Sequence, residues 1–544
     1  MAKSTSSSGA PAVIVLGGGL AGITAALAAR SAGAAVSMLS LGPVGRSGNT
    51  LVAGGISSAT NDVENPPELF LHDIMQSGQG VGNSSLARVL AEESFPALQR
   101  MEEFGVVFAR EGGKLLRRLP PGHSVPRNIP TDWAGVAFAM RGITFVRPLA
   151  EHLAVEGVAV HNGFCALRLL CTEGRVTGVL VVERKSGKCF SVRADAVVLA
   201  TGGYAGLFWR TNNVSDSYGD GVALALGAGC TVRDMEMVQF HPCMMFTPVK
   251  LPVLDSLFGA GALLRNSTGE AFMPRYSKTG NMATRDVMAR AIFQEVAAGR
   301  GVNGGVYVDC GKVPHAALEG QFSLFGQVLA KHGLCLGKDM LVAGPCAHYS
   351  LGGVVIDPQG RTTVAGLYAA GEVCGGVHGA NRLAGGSLMD ACVFGWRAGR
   401  AAVEDMAGAA TRSDSVFTSF SNCIDATSDA LFQVKEWTRQ LRTLMWEQVS
   451  VVRTGKGLQA ALATLHELEG AAKVLWASVA REKFLHKCMV ASCVVRSALA
   501  RQESRGAHYR ADFPLLQEEY TGHTRCRFVE GLVSVQFQAE GMGL

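Results

Sequence analysis

Two histidines and two arginines in the middle of the chain stand in short polar motifs: Gln239-Phe-His-Pro242, Thr284-Arg-Asp286, His348-Tyr349 and His378-Gly-Ala-Asn-Arg382. Guanidinium groups bind carboxylates through parallel hydrogen bonds, and imidazoles hold anionic oxygens or move protons. Taken singly, each reads more readily as structural: a lone histidine is usually satisfied within a core, and an arginine followed by aspartate usually makes a surface ion pair. A second chemistry is written in glycine. Gly17-Gly-Gly19-Leu-Ala-Gly22 follows the apolar run Ala12-Val-Ile-Val-Leu16, a G-x-G-x-x-G at a strand-to-helix junction. There the first glycine makes the tight turn, the second lets backbone approach a pyrophosphate, and the third lets helix pack on strand. The acidic residue that ordinarily closes the second strand and holds a ribose is absent. The strand ends Met38-Leu-Ser40-Leu41, so Ser40 is the stand-in and the fingerprint alone leaves NAD and FAD both open.

The elements that must position these residues follow from periodicity. Ala12 to Leu16 reads as a buried parallel strand, Leu20 to Ala32 as a helix and Ala35 to Leu41 as a second strand, one mononucleotide-binding unit. Alternation over Val176 to Val182 and Ser191 to Leu199 predicts a later sheet in the same domain. From about Gln239 to Pro345, Gly, Pro and Met interrupt every candidate element, the texture of an inserted capping domain. Gly366 to Ala370 reads as a strand returning to the first domain. Beyond Gly408 the chain turns helical, with Leu431, Val434, Trp437, Leu441 and Met445 at steps of three and four.

Bulk properties exclude other classes. A chain of 544 residues is too long for one core, and 48% hydrophobic residues suffice to fill several. A formal charge of +5, with Lys and Arg scattered among Asp and Glu, leaves no basic stripe for nucleic acid. The 14 cysteines form no zinc spacing and no CxxC pair, so no metal site and reduced thiols are expected, with Cys488 and Cys493 the nearest notable pair. Residues 1–10 carry no apolar core of a signal peptide, and no run of 18 apolar residues occurs, so direct membrane insertion is not expected. The 67 glycines gather in GG and GxG clusters, as where backbone packs against a large ligand.

Those later clusters decide for FAD. Ala200-Thr-Gly-Gly203, Ser217-Tyr-Gly-Asp-Gly221 and Gly366-Leu-Tyr-Ala-Ala-Gly-Glu372 are spread far down the chain, whereas an NAD domain needs one fingerprint near its start. Together with Arg46-Ser47, Gly54-Gly55-Ile56, Asp234-Met-Glu236, the histidine and arginine motifs above and Glu503-Ser-Arg-Gly-Ala-His508, their order resembles the succinate dehydrogenase/fumarate reductase flavoprotein family, which includes L-aspartate oxidase. The resemblance covers nearly the whole chain.

It implies an α/β fold: a split Rossmann-type FAD-binding domain (1–238 and 348–408), an inserted α+β capping domain (239–347) and a C-terminal helical domain (409–544). FAD would be held by Gly17, Gly19, Gly22, Ser40, Ser47, Thr50, Gly54, Gly55, Ala200, Thr201, Gly202, Asp220, Glu372, Ser387 and Leu388, with Glu372 on a ribose. Members with covalent flavin place a histidine after the Arg-Ser pair; Gly48 stands there, which implies non-covalent FAD of lower potential, suited to substrate reduction. The implied reaction is hydride exchange between flavin N5 and a CH–CH or C=C bond of fumarate, succinate or a related dicarboxylate. His241, His348 and Arg382 would bind carboxylates, Arg285 would exchange the proton, and Phe108 would exclude water.

Three departures stand out. His241-Pro-Cys243 replaces H-P-T, placing Cys243 at a substrate contact. Leu254, Asp255 and Phe258 occupy the threonine, glutamate and arginine positions of T-E-G-x-R-G, so Asp255 would serve a shorter proton relay and Leu254 would favour a bulkier acid. Pro120, ahead of Pro121-Gly-His123-Ser124, stands where L-aspartate oxidases carry a glutamate, which makes that activity the alternative reading. His508 is expected to be structural or at a subunit contact. With no iron-sulfur motif of its own, the chain would take electrons from an iron-sulfur subunit or soluble donor. It would be cytoplasmic and reach a membrane only through partners.

Overall fold

The computed structural model describes residues 10–539 except 62, 407–415, 421–427, 476 and 477. The expected boundary at 408/409 and the Ser-rich start lie outside the described residues.

The apolar run Ala12–Leu16 forms the middle of a five-stranded sheet in the order Leu367–Ala369, Ala196–Leu199, Ala12–Leu16, Ala35–Ser40 and Ala159–Asn162. Every pairing in it is parallel. The strands Ala12–Leu16 and Ala196–Leu199, buried on both faces, carry only Val, Ile, Leu and Ala, whereas the edge strand Ala159–Asn162 is largely exposed. The helix Leu20–Ser31 covers one face and packs against Gly386–Glu404. The two axes come close because Gly395 and Gly399 have no side chain: a Cβ would collide with Thr24 Oγ1 at the first and with the Ala25 carbonyl at the second. The return to the first domain at 366–370 is thus observed as the edge strand Leu367–Ala369.

The predicted strand over 191–199 is two strands in different sheets. Cys189–Arg193 joins an antiparallel sheet with Arg175–Glu183 and Phe164–Thr172, whereas Ala196–Leu199 joins the parallel one. Asp195 marks the change, its carboxylate accepting the Ala12 N–H at 2.9 Å. Alternation alone does not register a change of sheet.

The inserted region has its own hydrophobic core, with Phe258, Phe272, Ile292, Val306 and Phe325 at its centre. Its sheet runs in the order Leu251–Pro252, Val238–Met245, Leu341–Ser350, Val306–Asp309 and Leu263–Arg265. Two of those strands, Val238–Met245 and Leu341–Ser350, lead in from the FAD-binding part and back to it; the expected boundaries at 238/239 and 347/348 fall within them.

The C-terminal segment supplies the helices Ser428–Val449, Gly455–Lys473 and Val479–Ala500. Leu441, Met445, Leu465 and Phe484 join the same hydrophobic cluster as the parallel sheet, so these helices extend the main core. Leu431 departs from the expected stripe and is exposed. The segment also contributes a hairpin, Gly522–Val529 and Leu532–Ala539, which pairs with Val232–Arg233. Among the described residues twelve cysteines are free thiols, as the expectation of reduced thiols requires of them. No helix among the described residues is long and apolar enough to cross a membrane.

Candidate active site

A cavity of about 250 Å³ opens at the carboxyl ends of the parallel strands, where ligands of such sheets bind. Gly17, Gly19, Ser40, Ser47, Thr50, Ala200, Thr201, Gly202, Asp220, Glu372, Ser387 and Leu388 all line it. The N-terminus of Leu20–Ser31 lies at this space, with the Leu20 N–H donating to Thr50 Oγ1 at 3.2 Å. Gly17 has φ +118°, and a Cβ there would strike the Ala200 carbonyl. Gly22 packs against the Gly17 carbonyl and does not line the cavity; its role is to close the turn. Gly54 and Gly55 also lie outside the lining. Gly55, at φ +64°, is pressed against Trp133, Thr131 and the Arg141 carbonyl, so its need is packing. Two buried oxygens at the cavity, Thr201 Oγ1 and Asp220 Oδ1, have no hydrogen-bond partner among the described residues. Glycine cradle, helix terminus and unpaired acceptors fit a dinucleotide such as FAD.

His348 and Tyr349 line the same cavity, and the remaining chemistry gathers beside them. Arg382 Nη2 lies 3.1 Å from His348 Nε2. The His241 and His348 rings meet edge to face with centroids 5.5 Å apart. His241 Nε2 is 3.8 Å from Asp255 Oδ1. Asp255 Oδ2 accepts from Arg285 Nε at 3.1 Å and Nη2 at 2.7 Å. A small cleft lined by Asp255, Phe258, Thr284, Arg285 and Arg382 adjoins them. Two arginines, two histidines and one aspartate, distant in sequence, thus form one continuous cluster.

Strand geometry brings the imidazoles together. Gln239 pairs with Tyr349 but Phe240 with Ala347, which leaves His348 as the extra residue of a β-bulge. A second irregularity lies between His241 and Met244 on the opposite strand. Bulges re-aim a side chain that regular pairing would direct elsewhere. Arg285 opens the helix Arg285–Glu295, and Asp255 opens Asp255–Gly259.

Three expected contacts lie elsewhere. Phe108 is buried in the main core, edge-on to Phe145 at 5.7 Å, and lines neither space. The Cys243 side chain packs in the capping core; only its backbone N–H reaches the site, donating to His241 Nδ1 at 3.3 Å. Leu254 packs against the capping core, which removes the argument that it favours a bulkier acid. Phe258 does line the cleft, so an aromatic ring stands at the expected relay position. His508 is fully buried between Arg453 Nη1, at 2.7 Å, and the Arg501 carbonyl.

Residues 12–388 match the FAD binding domain family, and residues 438–539 match the fumarate reductase flavoprotein C-terminal family. The chain belongs to the succinate dehydrogenase/fumarate reductase flavoprotein family. It is 34% identical to one subunit of the fumarate reductase (CoM/CoB) of Methanothermobacter marburgensis, covering 93% of this chain and 95% of that one. It is 36% identical to an L-aspartate oxidase of Caulobacter vibrioides over 92% and 93% of the two chains. Among solved structures, an E. coli quinol fumarate reductase superposes with a TM-score of 0.85 at 25% identity, covering 97% of this chain and 96% of that one.

Within this flavoprotein, burial sets the charge states of the site. Burial, then the Arg285 charge, pushes His241 down to about 4, and the same causes hold His348 well below its ordinary range. At neutral pH both imidazoles are therefore uncharged hydrogen-bonding groups. Burial and the neighbouring Arg285 lower Arg382 to about 10, which leaves it protonated. Burial would raise Asp255, but the charge and hydrogen bonds of Arg285 outweigh it and keep the carboxyl ionised.

Several positioning residues had no explicit signal in the sequence. Gln239 accepts from Arg382 Nη2 at 3.0 Å and donates to the Arg382 carbonyl at 2.8 Å. Asn212 holds His348 Nδ1 at 2.9 Å. The Tyr349 ring lies 4.5 Å beneath the Arg382 guanidinium, and its hydroxyl donates to Asp390 at 3.1 Å. Gln239 and Tyr349 sit inside the Gln-Phe-His-Pro and His-Tyr motifs, so only their roles were hidden. Asn212 belongs to no motif.

Proposed function

We propose that this FAD-dependent oxidoreductase reduces fumarate or a closely related unsaturated dicarboxylate, or catalyses the reverse oxidation, with Arg285 exchanging the proton. Bound FAD supplies or accepts the hydride. The chain's own residues do the rest. Arg382, held by Gln239 and His348 Nε2 and stacked on Tyr349, offers a fixed guanidinium to one carboxylate, and the neutral His241, whose Nδ1 accepts from the Cys243 N–H, offers its Nε2–H to another oxygen. Arg285 would give its proton to the carbon that does not receive hydride, and the ionised Asp255, bonded to two of its N–H groups and partly open to water, would take a proton from solvent and pass it to the neutral guanidine.

The single observation that carries this reading is the state of Arg285. Nε and Nη2 are engaged by Asp255, while Nη1 is buried with no partner among the described residues. A guanidinium held from one edge and unfilled on the other is placed to meet substrate. With Phe258 at the outer position, the relay shortens to Asp255, whose side chain remains 18% exposed. Electrons would come from an iron-sulfur subunit or soluble donor. This is supported by the Methanothermobacter marburgensis relative, whose name makes it one chain of a multi-subunit fumarate reductase.

Oxidation of reduced viologen should accelerate with fumarate or a methyl-substituted analogue and remain at background without acid. No acid-dependent turnover would refute the proposal. Relatives named L-aspartate oxidase support the second reading, and oxygen-dependent loss of L-aspartate would favour it. Pro120, where that branch carries a glutamate, weighs against it.

A further inference from the structure

The FAD cavity is walled mainly by the first 391 residues, yet one cation in it comes from the C-terminal helices. Lys483, on the helix Val479–Ala500, lines the cavity beside Asp220 and Cys165. Its position identifies which end it serves. Ser40 ends the second strand, the place where a dinucleotide's adenosine ribose is held. The Gly163 N–H donates to the Ser40 carbonyl at 2.8 Å, and the chain then runs through Phe164, Cys165 and Ala166 along the cavity wall. Lys483 lines the cavity with Cys165 on that wall and pairs with Asp220 Oδ2. His348 and Tyr349, part of or next to the reactive cluster, mark the other end.

The two oxygens of Asp220 are unequal. Oδ2 is taken by Lys483, whereas Oδ1 is buried without a donor among the described residues. His486 Nδ1 is 3.9 Å away, too far for a hydrogen bond, and is itself unpartnered among them. A buried carboxylate oxygen left without a donor is unfavourable, so this one is directed at a ligand hydrogen. We infer that the C-terminal helical segment completes the adenosine end of the FAD cavity: Lys483 fixes Asp220 so that its free oxygen accepts from a hydroxyl or amino group of the adenosine moiety. Lys483 is thus a positioning residue, and nucleotide retention is linked to docking of the Val479–Ala500 helix. Linkage is reciprocal, so bound nucleotide also holds that helix in place.

The test is binding of FAD to apoprotein, followed by flavin fluorescence, with ADP as competing probe for the adenosine end. Lys483→Met should raise the FAD dissociation constant about tenfold, the loss expected for one charge-assisted contact. It should weaken ADP competition by the same factor, and Lys483→Arg should recover most of both. The upward shift in melting temperature on adding FAD should shrink in the methionine variant. Should that variant not fold, Lys483→Gln is read in its place with the same expectation. Unchanged FAD affinity would overturn the inference. So would weaker FAD binding with ADP competition unaltered, or a lowered apoprotein melting point with an undiminished FAD-induced shift, which marks a merely structural ion pair. None of these readouts depends on which acid the enzyme reduces.

Discussion

Arg285 and Arg382 share a side-chain type but not an environment, and they should fail differently. Arg382 is anchored by Gln239, its own neighbouring backbone and the Tyr349 ring, so it is built to hold still. Among the described residues Arg285 is held along its Asp255 edge alone. Arg285→Gln is expected to lower kcat by about 10²–10⁴-fold, the usual contribution of a proton-transfer group, with little change in KM. Arg382→Gln should chiefly raise KM for the acid, by about tenfold or more. Steady-state kinetics with reduced viologen separates the two patterns, and equal effects on both constants would contradict the assigned roles. Glu372 permits a pH test. Burial raises its carboxyl to about 7 from an ordinary 4.5. The folded apoprotein therefore binds this proton more tightly than the unfolded chain does. Its stabilising contribution is complete below pH 4.5, declines across the interval and is gone above about 7, a change of roughly 3 kcal/mol. Buried neutral histidines such as His241, lowered to about 4, act in the opposite sense, losing stability as pH falls from 6.5 toward 4. Denaturant titrations of Glu372→Gln against the unchanged protein isolate the first effect: the variant should lack the decline between pH 4.5 and 7.

At the scale of elements, contact between Leu20–Ser31 and Gly386–Glu404 sets how squarely the nucleotide loop faces its cavity. Gly399→Val would force a Cβ into the Ala25 carbonyl and push the helices apart. The expected cost is about 1–3 kcal/mol, with weaker FAD retention because the loop Gly17–Gly19 moves with the first helix. Thermal unfolding with and without added FAD measures both. Much of this level was readable in advance. The first strand, helix and second strand appear where a buried apolar run and a glycine fingerprint place them, since both signals act within a few residues. Strand changes were less legible. The split at Asp195 and the C-terminal hairpin depend on which distant strand offers hydrogen bonds, and a run such as Thr524-Arg-Cys-Arg-Phe528 carries no such address.

Across the whole molecule, a buried ionic network ties the capping hinge to the C-terminal segment. Arg501 donates to Glu236 at 2.6 Å and to Glu503 at 3.0 Å, and Thr524 donates to Glu236 at 2.7 Å. All three charged side chains are 0% exposed. Glu236 lies just before the strand that carries His241, so this network braces the active-site strand from behind. Glu236→Gln, leaving a buried guanidinium short of countercharge, should cost about 3–5 kcal/mol. Arg501→Met with Glu236→Gln should cost less than the two single changes added together, as chemical denaturation would show; strict additivity would mean the groups are not coupled.

The chain's own residue order was enough to determine the nucleotide fold, the flavin and the family, because each glycine turn and buried strand is written within a few residues and the order of these short motifs along the chain carries the rest. It also singled out the four side chains for which the chemistry is proposed. Tertiary structure alone decided that they meet, through a bulge that turns His348 toward Arg382. It alone made the imidazoles neutral, because desolvation depends on everything packed around them, and it alone moved Phe108, Cys243 and Leu254 into cores. Those outcomes arise from contacts between segments far apart in the chain, and no short window of sequence contains them.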